Sequence, residues 1–134
     1  MALRFLLDTN IVSFHIRESS RPLQRRLKRI PASQVGLSVV TEMEIRYGLA
    51  KNPTLRIGPL VEQFLGSITI LPLTSDVSKV YATVRAALDT QGTPIGPLDL
   101  MIAAHALTSG VTLITNNTVE LERVPGLRCR DWTR

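Results

Sequence analysis

Apolar residues come in short runs along this chain, and the runs alternate between two periods. Residues 3–7 (LRFLL), 35–39 (VGLSV), 68–73 (ITILPL), 111–115 (VTLIT) and 127–132 (LRCRDW) are brief and bulky or β-branched, which predicts strands. Between them the pattern lengthens to that of a helix. Asn10 is placed to cap a helix running through about Ile16. Ser20, with Pro22 just after it, opens a second helix, RPLQRRLKRI, closed by Pro31. TEMEIRYGLAK reads as a third, ended by Asn52-Pro53, and the stretch from about Pro53 to Leu65 as a fourth with Gly66 as its stop. In SDVSKVYATVRAALDTQG, Val77, Val80, Tyr81, Val84 and Leu88 recur at helical spacing. GTPIGP is a loop, and LDLMIAAHALTSG a buried helix with Gly110 as its C-cap.

Short apolar strands alternating with helices predict an α/β fold with a mainly parallel central sheet covered on both faces. No linker, repeat or low-complexity segment divides the chain, so residues 1–134 are expected to form a single domain.

Composition narrows this picture. A 44% hydrophobic and 20% charged content is that of a soluble globular protein, and no apolar run approaches the ~20 residues of a membrane span. The start, MALRFLLDTN, lacks the layout of a signal peptide, and the single cysteine, Cys129, fits a reducing compartment. A cytoplasmic protein is expected. The net charge of +5 favours a polyanionic partner, because basic surface gains free energy by releasing counterions from nucleic acid. Three Phe, two Tyr and one Trp are too few for a broad base-stacking platform.

Candidate chemistry gathers at the strand ends. In an open parallel sheet, ligand sites lie beyond the carboxyl ends of the strands. Asp8 directly follows the first strand, and Thr115-Asn116-Asn117 follow VTLIT. Glu44 is expected in the first turn of the helix after the second strand, and Asp99 in the first turn of the helix opened by Gly96-Pro97. Each has an ordinary structural reading. Asp8 can serve as a turn or cap, Thr41-x-x-Glu44 as a capping box, Asp99 as a complement to the helix dipole, and Asn116 and Asn117 as turn residues. Together they read differently. Carboxylates crowded at one edge resist ionisation unless a cation joins them, which describes a hard-cation site.

LLDTNIVS, TEMEIRYGL, GTPIGPLDLMIAAHAL and LITNNTVELERVPGLRCRDW, in that order, resemble the PIN-domain ribonucleases, and most nearly the VapC-type toxins of bacterial toxin–antitoxin pairs. The likeness spans essentially the whole chain. It implies a PIN-like three-layer fold and a Mg²⁺- or Mn²⁺-dependent endoribonuclease. Asp8, Glu44 and Asp99 match the family's acidic metal ligands, and Thr9 and Asn10 match residues that support the first acid. Many relatives carry Asp near Asn117, where this chain has TNN, so Glu120 is the candidate for the late acid. The resemblance also implies tRNA as target, initiator tRNA foremost, with ribosomal RNA an alternative. It further implies a cognate VapB-type antitoxin and a homodimer.

The remaining features fall around this core. Arg21, Arg25 and Lys28 share one face of the second helix and Leu23, Leu27 and Ile30 another, which suits either RNA contact or a solvated surface. Arg46, Arg123, Arg128 and Arg130 are further phosphate-binding candidates. His105, inside an apolar helix, reads as a satisfied core histidine, His15 as structural or exposed, and Cys129 as a small strand residue. Two other functions compete: a non-catalytic PIN-fold RNA- or protein-binding module, and a phosphatase with Asp8 as nucleophile. The latter usually wants a second acid at position 10, which is Asn here.

Overall fold

A computed structural model of the chain describes residues 2–53 and 56–134. Five strands, β1 (Phe5–Leu7), β2 (Val35–Ser38), β3 (Thr69–Leu71), β4 (Thr112–Ile114) and β5 (Cys129–Arg130), form one sheet in the order β3-β2-β1-β4-β5. Every pairing is parallel. Helices α1 (Thr9–Ile16) and α2 (Arg21–Lys28) join β1 to β2, and α3 (Val39–Lys51) and α4 (Gly58–Ser67) join β2 to β3. Helices α5 (Ser75–Gln91) and α6 (Pro97–Ser109) lead to β4, and the single turn α7 (Thr118–Leu121) to β5. This is the three-layer α/β fold that the alternation predicts, and its sheet is wholly parallel. Among the described residues no helix is long and apolar enough to cross a membrane.

Strand alternation divides the core in two, because successive side chains leave a strand on opposite faces. Leu6 and Leu113 pack with Val84 and Leu88 of α5 and Leu100, Ala103 and Ala106 of α6. Leu7 and Ile114, one residue on, pack with Ile11 of α1, Leu23 of α2, and Val61 and Leu65 of α4. Helix α3 serves both sides, Val40 entering the first core and Ile45 and Leu49 lying against the second. Leu6 and Leu113 are fully buried, so truncating either to Ala costs about 2–5 kcal/mol. Where β2 meets β3 the sheet closes tightly over Gly36. A Cβ there would sit 2.9 Å from the Thr69 carbonyl and 3.0 Å from a Leu3 methyl, so only glycine fits without a shift.

Several boundaries differ from the sequence reading, each for a local reason. The first helix is capped by Asp8, not Asn10: the Asp8 carboxylate accepts from the Ile11 N–H at 3.0 Å. The third helix starts earlier than Thr41. Ser38 caps it, accepting from the Val40 N–H at 3.1 Å, so Thr41-x-x-Glu44 is no capping box and Glu44 lies in the second turn. Gly66 lies inside α4, on its exposed face, and the helix ends only where Ile68 turns extended. That helix opens at Gly58; of the segment expected to be helical from Pro53, Thr54 and Leu55 lie outside the described residues. Gly110 ends α6 as expected, at φ 68°, a left-handed conformation that glycine adopts without strain.

Candidate active site

The strand order reverses beside β1. The chain moves from β1 outward through β2 to β3, then returns to lay β4 on β1's other side. Crevices open at such a switch point, beyond the carboxyl ends of the two central strands. Asp8 and Thr115 are the first residues past β1 and β4, and the Asp8 N–H still donates to the Ile114 carbonyl at 3.0 Å. The end of the sheet ladder thus fixes Asp8 at the crevice.

Asp8 is buried, and burial raises its carboxyl from the usual 3.8 to about 6. Hydrogen bonds from the Thr115 hydroxyl and the Ile11 N–H oppose the rise, while the charges of Asp99 and Glu44 add to it. Asp99, in the first turn of α6, is also pushed up, by burial first and then by Glu44 and Glu120. Glu44 accepts from the Thr9 hydroxyl at 2.6 Å. Glu120, on α7, accepts from the Asn117 amide at 3.2 Å, and the Asn117 N–H donates to Thr115 Oγ1 at 3.0 Å. On the rim, Asn10 Nδ2 donates to Asn116 Oδ1 at 3.5 Å.

The structure therefore brings Asp8, Glu44, Asp99 and Glu120 into one electrostatic field. Two supports change partner. Thr9 serves Glu44, and Thr115 is the hydroxyl that holds Asp8; Asn10 ties α1 to the loop after β4. Among the described residues the ion pairs are Arg46 with Glu42 and Glu62, and Arg134 with Asp131. None neutralises the four acids. Arg46 is thus occupied by carboxylates, and Arg25 and Lys28 are exposed on α2. Glu42 turns to Arg46 at 3.0 Å.

Carboxylates, hydroxyls and amides are hard oxygen donors, suited to Mg²⁺ or Mn²⁺. No group of three or more His, Cys, Asp or Glu among the described residues gathers closely enough to hold an ion by itself. That arrangement still fits Mg²⁺, which typically takes one or two carboxylates, keeps several waters and leaves positions for phosphate oxygens.

The histidines lie outside this chemistry. His105 is buried, its Nδ1 2.7 Å from Ser38 Oγ, and a ring N–H donates to the Pro72 carbonyl. Burial pushes its pKa down. His15 pairs through Nδ1 with Gln24 at 2.6 Å. Cys129 is partly buried in β5. Ser38 escaped the sequence reading as a support. Its one signal, a Ser before the helical run, was masked by Val39, which with Ser38 itself falls in the 35–39 strand reading.

Fold and crevice define a doubly wound α/β protein with a cluster of acids at its switch point. The model of the PIN domain matches residues 5–127. A curated protein of Shigella flexneri, named tRNA(fMet)-specific endonuclease VapC, is 38% identical over 133 residues, covering 98% of this chain and 99% of the relative. One of the same name from Salmonella typhimurium is 36% identical over 132 residues, covering 97% and 98%. A chain in the crystal structure of DNA-bound VapBC from Salmonella typhimurium matches with a TM-score of 0.89 at 37% identity, covering 97% of this chain and 98% of that one. This chain belongs to the PIN-domain family and, within it, to the VapC proteins.

Proposed function

We propose that this protein is a metal-dependent endoribonuclease, the toxin of a toxin–antitoxin pair, acting on tRNA with initiator tRNA as its foremost target. The observation that carries this reading is the crowd of acids at the switch point. Asp8, Glu44, Asp99 and Glu120 lie in one field with no cationic side chain among the described residues paired to them, and Asp8 and Asp99 resist ionisation. One or two of Asp8, Asp99 and Glu44 would hold Mg²⁺ or Mn²⁺ directly, and the remaining acids, Glu120 among them, would act on it through water. When bound, the metal polarises the scissile phosphate and lowers the pKa of the attacking water. The chain's own part is positional. Thr9 orients Glu44, Thr115 holds Asp8, and Asn117 links Thr115 to Glu120.

The relatives' names support the target, and the VapBC complex supports a VapB-type antitoxin as partner. A groove of about 260 Å³ beside Glu44, with Ile45, Leu49, Ile57 and Val61 in its walls, suits an apolar antitoxin segment. Met43, Tyr47, Leu73 and Leu98 are large, apolar and exposed, which favours a homodimer or a complex. A single domain working in the cytoplasm completes this reading.

The test uses purified, antitoxin-free protein on initiator and elongator tRNA, with cut ends mapped. Cleavage should be confined to the initiator tRNA, stop with EDTA and return with added Mg²⁺ or Mn²⁺. Undiminished cutting in EDTA would remove the metal from the mechanism. Equal cutting of both tRNAs would keep the ribonuclease and discard the target.

A further inference from the structure

On one flank of the acid crevice lies a cavity of about 330 Å³, walled in part by Phe14, Ser19, Arg21, Asn116 and Thr133. Asn116 joins it to the acids, because its Oδ1 accepts from Asn10, two residues after Asp8. We propose that this cavity is a nucleotide subsite for the RNA, taking the residue next to the scissile phosphate with its base against Phe14 and its phosphate at Arg21. The proposal rests on the ribonuclease reading above.

Three observations carry it. Arg21 is exposed, and among the described residues its side chain makes no ion pair or hydrogen bond, so its guanidinium is available to an anion. Glu18, three residues before Arg21, forms no ion pair with it among the described residues, and Asp131, two residues before the cavity-wall residue Thr133, is already engaged by Arg134 at 3.4 Å and by the Thr133 N–H at 2.8 Å. The groove beside Glu44 suits a polyanion less well, because the Glu44 carboxylate and several apolar side chains line it and Arg17 is the one cation in its walls. A strand leaving the acids is therefore drawn toward Arg21, and Arg25 and Lys28 continue on the same face of α2. Phe14 supplies the apolar wall that a base needs, and stacking of this kind tolerates any base while favouring some.

Binding and cutting are measured separately. Fluorescence anisotropy of a short labelled single-stranded RNA of mixed sequence, in EDTA, reads binding without chemistry. Arg21→Gln should weaken binding about tenfold and flatten the dependence of log affinity on log salt by about 0.7, the loss of one phosphate contact. Phe14→Leu should weaken binding with the salt slope unchanged, since stacking releases no counterion. Arg26→Gln, exposed on the same helix but outside the cavity walls, is the charge-matched control. Cut sites are then mapped on mixed RNA with Mg²⁺. Arg21→Gln and Phe14→Leu should relax base preference on one side of the cut, whereas Arg26→Gln should preserve it. Equal effects of Arg21→Gln and Arg26→Gln on binding and preference would reduce the subsite to diffuse attraction and overturn it. So would wild-type affinity and preference in Phe14→Leu. Wild-type protein that binds RNA but never cuts would instead overturn the ribonuclease reading, and with it the placement beside a scissile phosphate.

Discussion

Two buried polar groups sit near the carboxyl edge of this sheet and have opposite relations to their surroundings. Ser38 and His105 are matched. Ser38 Oγ accepts from Val40, lies 2.7 Å from His105 Nδ1, and the ring's other side reaches the Pro72 carbonyl. With Nε2–H donating to Pro72, the neutral ring accepts from Ser38 at Nδ1, so each group has a partner. Asp8 is also buried, yet its carboxyl rises to about 6 because two hydrogen bonds do not offset burial and two neighbouring acids. The fold can satisfy a polar pair here, since it does so at Ser38. On the proposed reading, a bound cation would relieve the electrostatic cost of leaving the acids unmatched.

Removing the unmatched charges should have the largest effect. Asp8→Asn, Asp99→Asn and Glu44→Gln should each lower metal-dependent cleavage by at least roughly 100-fold, a loss that residues merely supporting a metal ligand can reach. In metal-free protein Asp8→Asn should also stabilise. The unfolded chain ionises this group at 3.8 and the fold at about 6, so the folded state binds more protons between those values. Stability from this group is therefore greatest at low pH and falls through that window, leaving a cost of roughly 3 kcal/mol above it. Denaturant melts at pH 7 without metal would read the gain. An Asp8→Asn protein that is no more stable, or that still cuts at the wild-type rate, would remove the contrast.

Breaking the matched pair should show the reverse pattern, and a smaller one. Ser38→Ala takes away the helix cap and the partner of His105, so it should cost about 1–3 kcal/mol. His105 tilts the pH profile the other way from Asp8. Its pKa is lowered in the fold, so the unfolded chain takes up the proton first, near 6.5. The stability it brings is present above that pH and is lost as the pH falls through the lowered folded value. His105→Gln should flatten this acid-side loss while Asp8's slope persists. Thermal melts of wild type and variant across the range below pH 6.5 would test it, and identical slopes would show that His105 takes up its proton equally in the folded and unfolded chain.

Most of the fold was legible because parallel strands buried on both faces give continuous apolar runs, and all five runs became strands. Starts of helices were less legible. Asp8 and Asn10 are both good caps, and local chemistry does not choose between them; the ladder bond from the Asp8 N–H to Ile114 does. Val39 looks like strand, yet the Ser38 cap and burial of Val40 draw it into α3. The ordering of acids along strand ends pointed to one crevice. Which hydroxyl serves which acid did not follow, because Thr9 meets Glu44 across 35 residues and Asn10 meets Asn116 across 106. Pairings of that length depend on how the layers settle against each other, which no local pattern encodes.

The smallest expected effect lies two residues from one of the largest. Glu42 and Glu44 are both on α3, and a two-residue step turns about 200° around a helix, so they face different neighbours. Glu44 takes the Thr9 hydroxyl, and its charge is felt by Asp8 and Asp99. Glu42 instead pairs with Arg46, one turn along, which Glu62 also holds at 3.0 Å. Glu42→Gln therefore leaves Arg46 anchored and the crevice untouched. Folding and cleavage should stay near wild type, with the pairing lost only as a weak, salt-screened surface contact. Cleavage and melting of the Glu42→Gln and Glu44→Gln proteins, run side by side, would test the register of α3. If the folded Glu42→Gln protein lost cleavage and Glu44→Gln kept it, the helix would be turned by half a revolution from the orientation that the Thr9 bond fixes.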